Sequence, residues 1–380
     1  MKTLVLGGYG NFGARICRAL AGDARIDLWV AGRDVDRARA LAGPLGAGAV
    51  AIDCTAAGFA DTLKALGVDL LIHTAGPFQA QSYAVAQAAA RTGAHYIDLA
   101  DGRRFVCDFP AALQADFQQA GKVAISGAST VPALSSAVVD HLSAGWQAVH
   151  AIDICIAPAQ TAPRGRATLA AVLSYCGAPI RIWRDGAWTQ APGWANPARV
   201  TFKWLKPRLG ALCDIPDLEL FPARYRVRDA VMFRAALEVR ITQRAFAVLA
   251  ALRRMGLLPR PERLAGLLDR CSSMFDPLGT QLGGMVVRVD GLDADGRAAR
   301  RCWHLAADDD HGPEIPCMPT ILLARRLASG AVMAPGAYTA AGLLPLEAFA
   351  PQFAHWGMVA DSVDAAPGAA ADVAVPALLP

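Results

Sequence analysis

Leu4-Val5-Leu6-Gly7-Gly8-Tyr9-Gly10-Asn11-Phe12-Gly13 is the stretch that decides the fold of this chain. Three aliphatic residues suit a short buried strand, glycines follow at once, and a helix-length segment then runs to Leu20. Gly8-x-Gly10-x-x-Gly13 in a strand–turn–helix setting is a dinucleotide-binding pattern. Gly8 is expected to permit the tight turn, Gly10 to let the backbone approach a pyrophosphate, and Gly13 to let helix and strand pack closely. Tyr9, Asn11 and Phe12 complete the expected cofactor loop, and the helix N-terminus offers amides and partial positive charge to phosphate. The bland alternative is a glycine-rich turn that only packs.

Outward from this loop, short aliphatic runs alternate with Ala-rich helical stretches, the rhythm of βαβ units and a parallel sheet. Strands are expected at 3–7, 26–31, 49–53, 70–74, 96–99 and 123–126, with helices at 12–20, 35–41, 82–91 and 109–120. This is an α/β, doubly wound Rossmann sheet, with its ligand crevice at the carboxyl ends of the strands. Later segments change character. Hairpins are expected over 180–188, around Asp185-Gly186, and over 285–290 with 300–306, around Asp295-Gly296. Helices are expected at 243–255, 261–271 and 319–328, the first an amphipathic packing or dimer helix. The predicted domains are residues 1–147, then an α+β substrate or dimerisation domain on a mixed or antiparallel sheet over 148–360. The last helices are allowed to return to the first domain, and 361–380 is expected to be a disordered tail.

The end of the second expected strand discriminates between cofactors. In Ala31-Gly32-Arg33-Asp34, Arg33 lies about 20 residues beyond the last motif glycine, where an acidic residue would bind a ribose 2′-hydroxyl. An arginine there suits a 2′-phosphate by charge and by its planar fork. NADP is therefore the expected cofactor, with NAD as the alternative if Asp34 takes the ribose role. The structural readings are a solvated Arg33 and an Asp34 that caps the next helix. Asp53, ending the third strand, is counted with the same edge.

With Leu4 to Ala21, the Ala31–Asp34 corner, His73-Thr74-Ala75-Gly76-Pro77-Phe78, His95-Tyr96-Ile97-Asp98-Leu99-Ala100-Asp101 and Gly127-Ala128-Ser129, the sequence resembles the saccharopine dehydrogenase family. The likeness covers about residues 1–145. Beyond that it rests on weaker landmarks such as Trp303-His304-Leu305 and His311-Gly312-Pro313. The resemblance implies a Rossmann domain, a second domain with a mixed sheet, frequent dimers and NAD(P)-linked oxidoreduction. For the best-known members it implies reduction of an imine between an amino acid and a carbonyl compound. It also places Thr74, Ala75, Gly76 and Pro77 beside the nicotinamide ribose, where small residues permit close approach.

Proton-relay candidates follow from position and from ordinary pKa. Asp98 and Asp101 lie at the carboxyl end of the fifth strand, although Asp101 also suits a helix cap. His311 is favoured because imidazole titrates near neutrality. Asp308 to Asp310 read as a solvated turn, and His304 alternates on a strand. No metal is expected, since His311 and its neighbours lack an H-E-x-x-H frame. Tyr-x-x-x-Lys, Gly-x-Ser-x-Gly and P-loop patterns are absent from the sequence, which removes short-chain reductase, hydrolase and P-loop readings.

The composition agrees with an enzyme of two domains. The 380 residues are 54% hydrophobic and 18% charged, enough for a sizeable core. Its 37 basic residues are scattered for a net charge of +4, which argues against a nucleic-acid partner. Nine cysteines without a C-x-x-C pair point to a reducing, cytoplasmic location with inert buried thiols. The apolar start is too short for a signal segment, and no run is long enough to span a membrane. The expected protein is a homodimeric NADP-dependent oxidoreductase acting on the C=N or C=O group of a small polar metabolite. A catalytically silent dinucleotide-binding sensor or assembly protein is the alternative.

Overall fold

The aliphatic run at the start forms β1 (Lys2–Leu6), whose Leu4 and Val5 are fully buried. This computed structural model describes residues 1–79, 81–163 and 166–365. The chain divides into two units, one of 1–134 with 314–344, the other of 135–313 with 345 onward.

The first unit alternates as the sequence rhythm predicts. After β1 come α1 (Asn11–Leu20), β2 (Asp27–Gly32), α2 (Val35–Leu45), β3 (Gly48–Ala51), α3 (Phe59–Leu66) and β4 (Leu70–His73). They are followed by α4 (Ala84–Thr92), β5 (His95–Asp98), α5 (Arg103–Gln119) and β6 (Val123–Ser126). All pairings are parallel, in the order β3-β2-β1-β4-β5-β6. The order reverses between β1 and β4, so a crevice opens beyond their carboxyl ends. One side of the sheet is covered by a core containing Leu71, Tyr96, Phe105, Phe109 and Phe117.

A seventh strand, Gly336–Thr339, adds in parallel beyond β6. It went unread because Gly-Ala-Tyr-Thr has no period of its own. It becomes a strand by pairing, with Gly336 N donating to Lys122 O at 2.9 Å and Ala337 N to Gln114 Oε1 at 2.9 Å. The helix Met318–Ala328 returns with it. Thr320 Oγ1 donates to Ala128 O (2.7 Å), Arg325 to Ala19 O (2.6 Å), and Arg15 pairs with Glu314 at 3.1 Å.

The second unit is built on a mixed sheet. Its main path runs Ala198–Val200, Arg208–Leu212, Ala230–Leu237, Ala148–Ala157, Gly283–Leu292, Ala298–Ala307 and Val359–Ala365. Only Ala230–Leu237 with Ala148–Ala157 is parallel along that path. The expected hairpin pairs Pro179–Arg184 with Ala187–Pro192, and Asp185 and Gly186 take φ of 55° and 71°, the geometry of a two-residue primed turn.

Three expectations change. The boundary expected at 147/148 falls at Leu134/Ser135, because the helix Ser135–Leu142 packs on the second sheet. Residues 361–365, placed in the tail, run as strand against Ala298–Ala307, while 366–380 lie outside the described residues. The helix expected over 261–271 opens as a 3₁₀ turn, Pro261–Leu264, before Ala265–Ser272 continues as α-helix.

Candidate cofactor site

The glycine loop is held from three sides. Gly7 N and Gly8 N both donate to Ala31 O, at 2.9 and 3.0 Å, fixing the loop to β2. Thr74 Oγ1 donates to Leu6 O at 2.9 Å, fixing it to β4. Gly13 lies so near the turn that a Cβ there would stand 2.3 Å from Gly7 O and 2.8 Å from Gly8 Cα. The tight-turn role expected of Gly8 belongs to Gly7, which has φ +78°, whereas Gly8 sits against Val30 and the Val5 carbonyl. The motif therefore begins one residue earlier in function than in spacing.

Gly10 differs from its neighbours. A Cβ on it would meet only Gly7 O, at 3.1 Å, so the space beside it is open. Gly10 is also the N-cap of α1, with no side-chain cap and no acidic residue in the first turn. The first amides of α1, at Asn11 and Phe12, are thus left for an anion, and the helix field favours one. The loop and helix fit a pyrophosphate.

Tyr9 connects this loop to the corner after β2. Its hydroxyl accepts from Asp34 N at 3.0 Å, and its ring lies so close to Gly32 that any Cβ there would clash. Asp34 Oδ1 caps α2, accepting from Asp36 N and Arg37 N at 3.0 and 3.1 Å. That gives Asp34 a structural role whether or not a cofactor is present. Arg33 is exposed and makes no ion pair with any described residue. The Arg37 guanidinium lies 4.6 Å from the Tyr9 ring centroid, so the corner carries a second arginine. Sequence spacing missed Arg37, although its place one turn beyond the Asp34 cap was the available signal. Asp53 accepts from Thr55 N (2.9 Å) and Thr55 Oγ1 (2.7 Å); these bonds first, and Arg33 to a smaller degree, hold its carboxyl below the ordinary range.

On the other side of β1, Gln81 Nε2 donates to Ala75 O and Pro77 O at 2.7 and 3.0 Å, pinning the Thr74–Pro77 loop. The Gly76–Pro77 peptide is cis. Gln81 is a second residue that spacing did not reveal. Behind the loop, His73 is buried, with Nδ1 3.0 Å from the Tyr96 hydroxyl. Burial drives its pKa down to about 4, so the ring is neutral at physiological pH.

The three relay candidates have different surroundings. Asp98 is wholly buried, and its Oδ1 accepts from Ala100 N (2.9 Å), Ser126 Oγ (3.0 Å) and Gly127 N (2.8 Å). Burial pushes its pKa up to about 6 against those hydrogen bonds. Its geometry ties the ends of β5 and β6 together, a positioning role. Asp101 is exposed and accepts from Gln79 Nε2 at 3.0 Å. His311 belongs to the second unit, its Nδ1 3.1 Å from Trp356 O. A carbonyl only accepts, so Nδ1 carries a hydrogen in this contact. His304 is buried, with Nδ1 accepting from Lys203 N at 3.3 Å; burial lowers its pKa to about 4, as for a core histidine. No group of three His, Cys, Asp or Glu side chains is placed to hold a metal among the described residues.

Residues 3–125 match the family model of the saccharopine dehydrogenase NADP binding domain. The match ends at β6 and contains the glycine loop, the Arg33 corner, the Thr74–Pro77 loop and both aspartates. The saccharopine dehydrogenase likeness extends further in fold. The chain is similar to saccharopine dehydrogenase (L-Glu forming) from Saccharomyces cerevisiae at 16% identity and a TM-score of 0.67, over 96% of this chain and 100% of that one. It is also similar to homospermidine synthase from Legionella pneumophila, solved in complex with NAD, at 10% identity and a TM-score of 0.62, over 95% of this chain and 91% of that one. At such identities the shared property is the fold. No curated protein sequence matches the chain.

Proposed function

We propose that this protein is an NADP-dependent oxidoreductase that moves hydride between nicotinamide and the C=N or C=O carbon of a small polar metabolite. The observation that carries the reading is the corner after β2, where exposed Arg33 and Arg37 stand beside the glycine loop through Tyr9. Two guanidinium forks suit a 2′-phosphate, and a ribose hydroxyl has no need of them. The saccharopine dehydrogenase NADP binding domain match supports the same cofactor.

Bound NADP would supply the hydride chemistry; the chain's share is orientation and proton handling. The amides at the start of α1 would orient the pyrophosphate. Thr74 and Gln81 hold the 74–77 loop rigid beside the place for the nicotinamide ribose. Asp98 keeps the β5 and β6 ends in register, so that exposed Asp101 can meet a substrate. Asp101 and His311 remain the candidates for relaying the proton that must accompany hydride. The reading includes a homodimer, and a reducing, cytoplasmic compartment in keeping with nine cysteines that form no C-x-x-C pair.

The test is cofactor titration by NAD(P)H fluorescence with wild type, Arg33→Ala and Arg37→Ala. Loss of one charge-assisted phosphate contact costs about 1.5–3 kcal/mol, or at least about tenfold in NADPH affinity, with NADH nearly unchanged. Equal weakening of both cofactors, or tighter NADH binding by wild type, overturns the NADP assignment. Turnover is then sought across amino-acid and keto-acid mixtures with Asp101→Asn and His311→Asn beside wild type. A relay residue lowers kcat by about 10²–10⁴-fold with NADPH affinity kept. Cofactor binding without turnover on any mixture would favour the silent sensor.

A further inference from the structure

In the second unit, the helix Arg240–Arg254 turns the wrong face to water. Its exposed stripe contains Ile241, Ala245, Val248 and Ala251, spaced three or four residues apart, and Met255 extends it. The inner face is packed: Gln243 and Ala250 are buried, the Phe246 ring lies 4.6 Å from that of Trp194, and Arg253 donates to Ser174 O and Cys176 O. A surface helix normally reverses this pattern. The feature continues beyond the helix. Among the described residues nine large hydrophobic side chains are exposed, and seven of them fall between Ile241 and Leu278. Residues 240–278 also contain seven arginines against Glu262, Asp269 and Asp276, a net of +4.

A cavity of about 450 Å³ adjoins the start of this helix. Arg199, Lys206, Arg208, Arg240 and Arg244 line it, and no acidic residue does among the described residues. Arg208 is committed to the fold, donating to Pro158 O and Leu282 O and standing 3.5 Å from Glu238. The other four are exposed and form no ion pair with any described residue. The first turn of the helix adds amides uncapped by any side chain and has no acidic residue. Arg244 borders both the cavity and the apolar stripe, lying one turn from Ile241 and from Val248.

We propose that this face docks on a bilayer containing anionic phospholipid, with the cavity taking the headgroup phosphate and the apolar stripe entering the headgroup–acyl boundary. A second copy of the chain is disfavoured by charge. A twofold interface sets a patch against itself, and here that would appose two cationic surfaces. An anionic leaflet meets both halves of the feature, arginines by charge and aliphatic side chains by burial. The expectation of no membrane rested on the lack of a spanning segment, and no helix among the described residues is long and apolar enough to cross one. Lying on a surface is a different physical case. The proposal is independent of the cofactor site.

The full chain would be co-sedimented with vesicles of phosphatidylcholine alone and of phosphatidylcholine with phosphatidylglycerol. Binding is expected to the second kind only, weakening as salt rises. Arg240→Ala/Arg244→Ala should weaken it about thirtyfold, and Ile241→Ser/Val248→Ser about tenfold with the salt dependence retained. These side chains are exposed, so melting temperatures should match wild type, and that is measured alongside. Absence of binding to the anionic vesicles overturns the proposal. So does calorimetric binding of inorganic phosphate that needs Arg240 and Arg244 while vesicles are ignored, which would make the ligand a soluble phosphate compound. Loss of self-association in Ile241→Ser/Val248→Ser, with no vesicle binding by wild type, would assign the face to a second copy.

Discussion

Gly10 and Gly13 lie three positions apart and serve opposite ends. Gly10 has ordinary extended backbone, φ −77° and ψ 175°, so a side chain there meets no backbone strain, only a tight contact with Gly7 O at 3.1 Å and whatever should occupy the open space. Gly10→Val should keep its melting temperature and lose NADPH binding, read by thermal melting and fluorescence titration. A Cβ on Gly13 collides with backbone that cannot step aside, 2.3 Å from Gly7 O. Gly13→Ala should therefore lose stability, on the order of 1–3 kcal/mol. If both variants behave alike, the loop is a packing turn and the cofactor assignment loses its footing.

At the level of elements, two buried carboxyls hold joints and do so differently. Asp98 Oδ1 receives three hydrogen bonds from the β5 and β6 ends. Asp98→Ala leaves three buried donors unmet at about 1–3 kcal/mol each, whereas Asp98→Asn keeps an acceptor and should melt near wild type. Equal losses in the two variants would show that the charge, not the acceptor, matters. In the second unit Ser135 Oγ donates to Asp217 Oδ1, and burial pushes the Asp217 pKa up to about 7. Its folded pKa thus lies above the unfolded value of about 3.9, and the native state holds a proton that the unfolded chain has released. This contribution to stability is full below about pH 4 and declines as pH rises to about 7. Asp217→Asn does not titrate, so its melting temperature relative to wild type should climb across that window. A difference that stays flat with pH would remove Asp217 as a titrating group.

For the whole molecule, the first unit is discontinuous, and its stability depends on a segment more than 170 residues further along the chain than Leu134. NADPH at about 100 times its Kd should add about 2.7 kcal/mol to that unit, a rise of roughly 5–10 °C in its transition. A chain ending at Pro313 lacks the seventh strand beside β6 and the helix Met318–Ala328. It should lose that NADPH-linked rise and aggregate through the exposed β6 edge, followed by calorimetry and light scattering. A truncated chain with an unchanged NADPH response would mean that residues 1–134 suffice.

What the sequence by itself determined is what local chemistry determines. Leu4-Val5-Leu6 before the glycines could only be a strand meeting a turn, and Asp185-Gly186 between two alternating runs could only be a hairpin. The Rossmann class was legible because the glycine pattern and the strand–turn–helix around it lie within about 30 residues. Tertiary structure decided the rest. Gly7, not Gly8, takes the positive φ because Ala31 O draws both amides toward β2. Gly336–Thr339 is a strand because β6 offers it a partner, and Asp98 is an anchor because Ser126 and Gly127 arrive beside it. The outward apolar face of Arg240–Arg254 was hidden for the same reason. Periodicity reports that a helix has an apolar stripe, while only the packed neighbours, Trp194 against Phe246 among them, decide which stripe is left facing water.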